Sequence, residues 1–317
     1  MCYQGQTRAL RRQELNTEES FRVFEKLKDK VKTVKLIGGE PTVRDDIFEI
    51  ISFLDKAGKK IILHSNLTLL DDKKIEILKK FKNVKDILTS IDGPKEIHDA
   101  VRGVPGSFEK MKKAVNLVKE KMPNVPITVF AMMLINDNLG KLKELIAITK
   151  SLGIGTINVL FEQAYSAEDK EKAQKILKNV FGWKDGEYRL NTKIRDPIFP
   201  ANLDIKKLKK ELTEIRLYGI KKGCFVNLVP FNYYKNLDKY IGIIKSRPFC
   251  LKLLSPELRV NQTGDVIWCD VIEKSFGNLL EKSPDEIWLS DDYQKFREYL
   301  FKNSLPICHR CCKASYL

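Results

Sequence analysis

The cysteines of the C-terminal quarter have the spacing of metal ligands. They follow the pattern C-x13-G-x4-C, a gap, and then C-x2-C, and in order they are Cys250, Cys269, Cys308 and Cys311. A C-x2-C pair with two earlier thiols supplies four soft ligands, which suit either a tetrahedral zinc ion or a [4Fe–4S] cluster. The spacing therefore predicts one metal or cluster site in this part of the chain.

Two further motifs carry polar groups that suit a small charged ligand. Gly38, Gly39, Glu40 and Pro41 follow an apolar run, where paired glycines let the backbone approach a ligand and adopt positive φ. The carboxylate that comes next can pair with an ammonium group. The proline fixes the turn.

The second motif begins at Ser90 and Asp92 and continues to Arg102. A small hydroxyl and an acid suit sugar hydroxyls, and a guanidinium suits a carboxylate. His98 lies between them, and we interpret it as a loop histidine that caps a turn. Asn66 follows another apolar run and is a candidate contact for the same ligand.

The set of motifs resembles the radical S-adenosylmethionine (SAM) enzyme family with a C-terminal SPASM/twitch-type iron–sulfur domain. The resemblance spans nearly the whole chain and is weakest over 166–248. It implies that the Gly-Gly-Glu segment grips the amino group of SAM, that Ser90 meets its carboxylate or ribose, and that Asp92 or Arg102 lies close by. It also implies that the four C-terminal cysteines hold one auxiliary [4Fe–4S] cluster, as in a twitch domain or a reduced SPASM domain.

Cys2 resembles the last ligand of the family's C-x3-C-x2-C motif, whose three cysteines bind the SAM cluster. Met1-Cys2-Tyr3 supplies one of these thiolates, and one thiolate cannot hold that cluster. We therefore expect the chain as given to be inactive, and we expect the reading frame to extend upstream through the other two cysteines. The alternative is a degenerate relative that has lost the cluster.

The resemblance implies reductive cleavage of SAM to a 5′-deoxyadenosyl radical, which abstracts hydrogen from a peptide or small-molecule substrate. The auxiliary cluster would assist oxidation, and flavodoxin or ferredoxin would donate electrons. Two other classes stay open: an iron–sulfur electron-transfer or scaffold protein without catalysis, and a zinc-bearing basic protein that binds nucleic acid, which we regard as unlikely.

Alternation of strands and helices predicts where these motifs lie. Short apolar runs at 31–38, 60–64, 84–90, 127–134 and 156–161 read as strands, with amphipathic helices between them. This is an α/β pattern with a parallel sheet, and the motifs fall at the strand ends, where ligands bind in such folds. The resemblance implies an open partial (β/α)6 barrel whose first strand lies upstream, followed by a small cluster-binding module.

Three domains are expected along the chain. They are the barrel core at 1–165, a bridging helical or irregular segment at 166–248, and the SPASM/twitch-like module at 249–317. Within the bridging segment, 208–218 reads as a helix. Gly264 marks a hairpin before Cys269.

The amino-acid composition limits the classes of function that this chain could have. Of the 317 residues, 43% are hydrophobic and 31% are charged, as in a globular protein. Seven cysteines without an export signal favour metal or redox roles over disulfides, so we expect a cytoplasmic protein. The single cysteines Cys224 and Cys312 are expected to be buried small side chains. A net charge of +15 favours acidic partners, although a lysine-rich surface alone accounts for it.

Overall fold

The computed structural model describes residues 14–133, 138–191, 193–194, 199, 202–229, 236–242, 245–255 and 257–316. The strands in chain order are β1 (Thr33–Leu36), β2 (Lys60–His64), β3 (Val84–Ser90), β4 (Ile127–Met133), β5 (Thr156–Phe161), β6 (Ala164–Tyr165), β7 (Tyr188–Leu190), β8 (Lys193–Ile194), β9 (Phe225–Val229), β10 (Phe249–Cys250), β11 (Arg259–Val260), β12 (Asp265–Ile267), β13 (Ile272–Asn278) and β14 (Ala314–Ser315).

The α-helices in chain order are α1 (Thr17–Leu27), α2 (Ile47–Lys56), α3 (Asp72–Leu78), α4 (Lys95–Arg102), α5 (Ser107–Lys121), α6 (Leu142–Ser151), α7 (Ala167–Phe181), α8 (Ile205–Lys221), α9 (Leu237–Ile241), α10 (Pro284–Trp288) and α11 (Asp291–Lys302). Short 3-10 segments include Pro41–Val43 and Leu251–Leu254.

The chain divides into two compact units, and the first contains 16–160 and 213–227. Its centre is a six-stranded sheet with the order β1-β2-β3-β4-β5-β9, in which β1 to β4 pair in parallel. Leu63, Ile87 and Ile127 lie in register on neighbouring strands and are almost fully buried. Because strand side chains alternate between faces, this row forms one face of the sheet and places the intervening positions on the other.

The α/β prediction is confirmed, and so are the five predicted strands at positions close to those expected. The sixth strand of the sheet is β9, which lies in the segment that looked irregular in sequence. The strand expected upstream of the Cys2 loop falls outside the described residues. Asn16 caps α1 with the reciprocal hydrogen bonds to Glu19 that the sequence predicts.

α8 and β9 meet closely at Gly219. A Cβ atom on this glycine would lie 2.6 Å from Cγ2 of Val226 and 2.8 Å from the carbonyl oxygen of Cys224. The backbone N–H of Cys224 also donates to the carbonyl of Gly219 at 2.8 Å. Glycine therefore lets the helix and the edge strand approach each other.

The second unit contains 161–212 and 228–317. Its main sheet has the order β11-β12-β13-β7, so a strand from the 166–248 segment completes the sheet of the cysteine-bearing module. β11 and β12 form the antiparallel hairpin predicted around Gly264. Ile287 and Trp288 are the last two residues of α10.

Aromatic rings form the core of this second unit. Phe296 is fully buried, and its ring centroid lies 5.2 Å from that of Trp183, 5.3 Å from Phe181 and 5.6 Å from Phe276. Since aromatic side chains bury large apolar areas, this cluster gives a small unit a substantial core. The three-domain division predicted from sequence stays a prediction.

No helix among the described residues is both long and apolar enough to cross a membrane.

We predict that Gly219→Ala lowers the stability of the protein by about 1–3 kcal/mol, because the added methyl group overpacks the contact with β9. Urea or thermal unfolding followed by circular dichroism measures the change. Gly140→Ala is the matched control, since a Cβ there meets nothing within 4 Å. Equal unfolding midpoints for Gly219→Ala and the unmodified chain would contradict the close approach.

Candidate cofactor and cluster sites

The carboxylate of Glu40 joins the turn after β1 to the turn after β2. Its Oε1 accepts hydrogen bonds from the N–H and hydroxyl of Thr42, at 3.1 and 2.6 Å, and from the hydroxyl of Ser65 at 2.7 Å. Its Oε2 accepts from the N–H of Asn66 at 2.7 Å. The structure thus brings the predicted residues Glu40 and Asn66 together at one edge of the sheet.

The turn after β2 is itself strained and held by side chains. Leu67 is buried and has a φ of 64°, in the left-handed region that costs a non-glycine residue about 1–2 kcal/mol. Its N–H donates to the hydroxyl of Ser65 at 2.9 Å, and the Oδ1 of Asn66 accepts from the N–H and hydroxyl of Thr68. These bonds fix the direction in which the Asn66 backbone meets Glu40.

Gly38 and Gly39 are exposed, and Pro41 is buried. A Cβ on Gly38 would meet nothing within 4 Å, and its φ lies outside the left-handed region. The expectation of positive φ is therefore wrong for Gly38. The space next to Gly38 is open, so the other expected role of this glycine, to let a ligand approach the backbone closely, is still possible.

Asp92 is fully buried at the end of β3 and is the centre of a hydrogen-bond network. Its Oδ2 accepts from Nε of Arg102 at 2.6 Å, and its Oδ1 accepts from the N–H of Met132 in β4 at 2.9 Å. Asn138 donates to the carbonyls of Asp92 and Met132, at 2.9 and 2.7 Å. The carboxylate therefore ties β3, α4 and β4 together, and Ser90, half-buried two residues earlier, lies at the adjoining strand end.

His98 lies on α4, a helix that the sequence analysis did not predict. Its side chain is 3% exposed, and its Nδ1 accepts from the N–H of Asp92 at 3.3 Å. Burial lowers the pKa of His98, against the opposing effect of Asp92. The histidine is therefore a buried structural residue on a helix, whereas we expected it in a loop.

A polar row lies on the other face of the sheet. Nζ of Lys35 lies 5.7 Å from the ring centroid of Phe130, and the ring of His64 lies 5.4 Å from the same ring. Further along, Nδ2 of Asn227 donates to Oδ1 of Asn158 at 3.0 Å. Residues of these types can bind a charged ligand, and sequence alternation alone would not have distinguished them from solvent-facing positions.

The cysteine site lies in the second unit and begins at Cys250. The N–H groups of Lys252 and Leu253 and the indole of Trp268 are directed at its sulfur. Burial raises the pKa of Cys250, and these donors act against the increase. Donors of this kind stabilise a thiolate and influence the potential of a cluster bound to it.

The other three cysteines adjoin Cys250 and one another. Burial raises the pKa of Cys269 to about 11, with the N–H of Ile272 acting against it. Burial also raises the pKa of Cys308, and the neighbouring Cys269 and Cys250 raise it further. A hydrogen bond with Cys312 and then burial raise the pKa of Cys311, with additional effects of Cys269 and Cys308. Each of the four thiols therefore lies near at least two of the others.

The four thiols are soft donors of the type that binds an iron–sulfur cluster. Among the described residues, no three His, Cys, Asp or Glu side chains converge as ligands of one metal ion. Zinc would need four sulfurs around one point at about 2.3 Å, whereas each thiolate of a [4Fe–4S] cluster binds a different iron. Soft, half-buried thiols with backbone N–H donors near Cys250 and Cys269 are a donor set that suits such a cluster.

The remaining cysteines differ from these four. Cys224 is 1% exposed, and burial raises its pKa, as expected for a small buried side chain. Cys312 is half-buried, like the four cysteines above, so the expectation of a buried side chain is wrong for it; a hydrogen bond with Cys311 lowers its pKa. Cys2 lies outside the described residues.

Sequence comparison separates the same two parts of the chain. Residues 1–148 match the model of the Radical SAM superfamily, and residues 250–312 match that of the SPASM iron–sulfur cluster-binding domain. The chain carries a radical SAM domain followed by a SPASM domain. The resemblance predicted from the motifs is thereby confirmed, and the two domains imply SAM and iron–sulfur cofactors.

Curated relatives extend over most of this radical SAM and SPASM chain. The AdoMet-dependent heme synthase of Methanosarcina barkeri is 25% identical over 307 residues, which cover 94% of this chain and 80% of that protein. The PqqA peptide cyclase of Gluconobacter oxydans is 22% identical over 276 residues, covering 84% of this chain and 66% of that protein.

Solved structures share the fold. SuiB of Streptococcus suis superposes with a TM-score of 0.60 at 18% identity, covering 92% of this chain. The chain spans 64% of the length of SuiB. The structure of anSMEcpe with bound AdoMet and a peptide gives a TM-score of 0.61 at 17% identity, covering 95% of this chain and 81% of that protein. The predicted partial barrel with a small cluster-binding module agrees with this fold.

We predict that Cys311→Ala removes most of the iron from the C-terminal site, because Cys311 adjoins Cys269 and Cys308. Cys312→Ala is the matched control and should keep its iron. Iron and acid-labile sulfide per chain, measured after anaerobic reconstitution, test this. The reverse result would show that Cys312 is the ligand.

Proposed function

We propose that this chain is a radical SAM enzyme that cleaves SAM reductively to a 5′-deoxyadenosyl radical and uses it to abstract hydrogen from its substrate. In this proposal the SPASM domain holds one auxiliary [4Fe–4S] cluster at Cys250, Cys269, Cys308 and Cys311. The observation that carries the proposal is the gathering of these four thiols in one unit of a chain that also carries the Gly38-Gly39-Glu40 and Ser90-to-Arg102 motifs.

The strand ends of the first unit are assigned to SAM. The exposed backbone of Gly38 and Gly39 would receive the amino group, and Ser90 would meet the carboxylate or ribose. Glu40 would contribute in two ways: its charge attracts the ammonium group, and its four hydrogen bonds hold the turn in place. Asp92 would act indirectly, because its carboxylate is buried and bonded to Arg102 and Met132. Arg102 and Asn66 would supply the remaining SAM contacts at these strand ends.

The substrate is proposed to be a small molecule or a peptide with acidic groups. The relatives with the longest coverage are named for heme synthesis, and others are named for the modification of a peptide. Lys35 on the polar face of the sheet and the net charge of +15 favour a negatively charged substrate. When bound, the auxiliary cluster supplies one-electron chemistry to the oxidation or modification of that substrate.

A second candidate is an electron-transfer or scaffold protein without SAM cleavage. This candidate needs only the C-terminal cysteine site at Cys250, Cys269, Cys308 and Cys311. In either case an electron donor such as flavodoxin or ferredoxin is the expected partner. The two candidates differ in whether the protein cleaves SAM and forms 5′-deoxyadenosine.

We predict that the 317-residue chain, reconstituted without oxygen and reduced, forms no 5′-deoxyadenosine from SAM. A version extended upstream to complete C-x3-C-x2-C, with one cysteine two residues before Met1 and another four residues earlier, should form it. Liquid chromatography of the products measures both. Cleavage by the unextended chain would contradict the expected role of the three cysteines, and failure of the extended chain with both clusters present would favour the second candidate.

In the extended protein, Glu40→Gln should weaken SAM binding at least about tenfold, since loss of a charge-assisted hydrogen bond costs about 1.5–3 kcal/mol. Calorimetric titration with SAM measures the affinity. Iron content and the unfolding midpoint serve as controls, because Glu40 also bonds Ser65 and Asn66. Unchanged affinity would remove Glu40 from the SAM site.

A further inference from the structure

A buried lysine lies against the cysteine site. Lys252 belongs to the 3-10 segment Leu251–Leu254 and is 5% exposed. Its Nζ donates a hydrogen bond to the carbonyl of Trp268 and lies 4.9 Å from the centroid of that indole ring. Trp268 directly precedes Cys269, and its indole is directed at the sulfur of Cys250. The lysine therefore follows one proposed cluster ligand by two residues and is anchored to the residue that precedes another.

The position is unusual for a lysine in physical terms. Lysine side chains are almost never fully buried unless they are paired, because an ammonium group loses its hydration in the interior. Burial lowers the pKa of Lys252, and the thiols of Cys269 and Cys250 and the carboxylate of Glu257 act against this decrease, while Arg259 adds to it. A buried ammonium beside thiols gains most when those thiols are ionised.

A cluster bound at this site would supply that negative charge. Four thiolates around a [4Fe–4S] core carry a net negative charge, and one-electron reduction makes it more negative by one unit. A fixed positive charge in a medium of low dielectric constant stabilises the reduced form more than the oxidised form. The expected consequence is a higher reduction potential.

We propose that the buried ammonium group of Lys252 raises the reduction potential of the auxiliary cluster. The inference rests on the proposed function above, in which Cys250, Cys269, Cys308 and Cys311 hold a [4Fe–4S] cluster. The hydrogen bond to Trp268 keeps the charge at a constant distance from the cysteines.

The test is a potentiometric titration of the reconstituted 317-residue chain, followed by electron paramagnetic resonance of the reduced cluster. Lys252→Met should keep the iron content of the unmodified chain and shift the midpoint potential to a lower value. Lys252→Gln, which keeps a donor for the Trp268 carbonyl but carries no charge, should show the same downward shift. Lys252→Arg should restore a midpoint close to that of the unmodified chain.

Lys313→Met is the matched control. Lys313 follows Cys311 by two residues, just as Lys252 follows Cys250, but its side chain is 52% exposed and its charge is screened by solvent. The control should shift the potential much less than Lys252→Met.

Three outcomes would overturn the proposal. One is an unchanged midpoint in both uncharged variants of Lys252. Another is an equal shift in Lys313→Met, which would assign the effect to net charge. The third is loss of iron from both uncharged variants, which would make Lys252 a structural anchor. Absence of iron from the unmodified chain is a separate result, because it contradicts the proposed cluster itself and, with it, the role of Lys252.

Discussion

The buried carboxylate of Asp92 holds the ligand-facing edge of the first unit together. It accepts a hydrogen bond from the guanidinium of Arg102 on α4 and another from the backbone of Met132 in β4, and it is fully removed from solvent. Breaking a buried pair of this kind by removing one partner typically costs about 3–5 kcal/mol. The carboxylate of Glu40 likewise connects the turns that follow β1 and β2, although it is only half-buried. The proposed SAM contacts depend on both carboxylates, since each fixes the turn that presents them.

Regular periodicity made much of the first unit predictable from sequence. Apolar runs such as 84–90 have strand length and lie between amphipathic helices, so β3 and its neighbours could be placed within a few residues. β9 was not predicted, although Gly223 has a φ of 65° and lies just after the preceding helix, because a run of five residues beside an irregular segment is hard to distinguish from a loop. α4 was not predicted because its eight residues are mostly polar and follow a Gly-Pro turn, a pattern that is also typical of a loop.

The functional sites, like the fold, could be predicted from the sequence only in part. The type and spacing of the four C-terminal cysteines indicated a common site, because thiols at C-x2-C spacing have few other uses. The sequence could not indicate that Asp92 is buried and saturated by Arg102 and Met132, since that depends on how β3 and β4 pair. It also gave no sign of Lys252. A lysine two residues after a cysteine looks like any surface lysine until Trp268 is seen to cover it.

The pairing of β7 with β13 has a consequence for how the protein is made. Leu190 pairs with Ile272, so the sheet of the second unit joins segments that are far apart along the chain. Non-local pairings of this kind slow folding, because the loop between them must close before the contacts form. The cysteines at 308 and 311 are synthesised later still. The four-cysteine site can therefore form only after residue 311 has been synthesised, later than either strand of this pair.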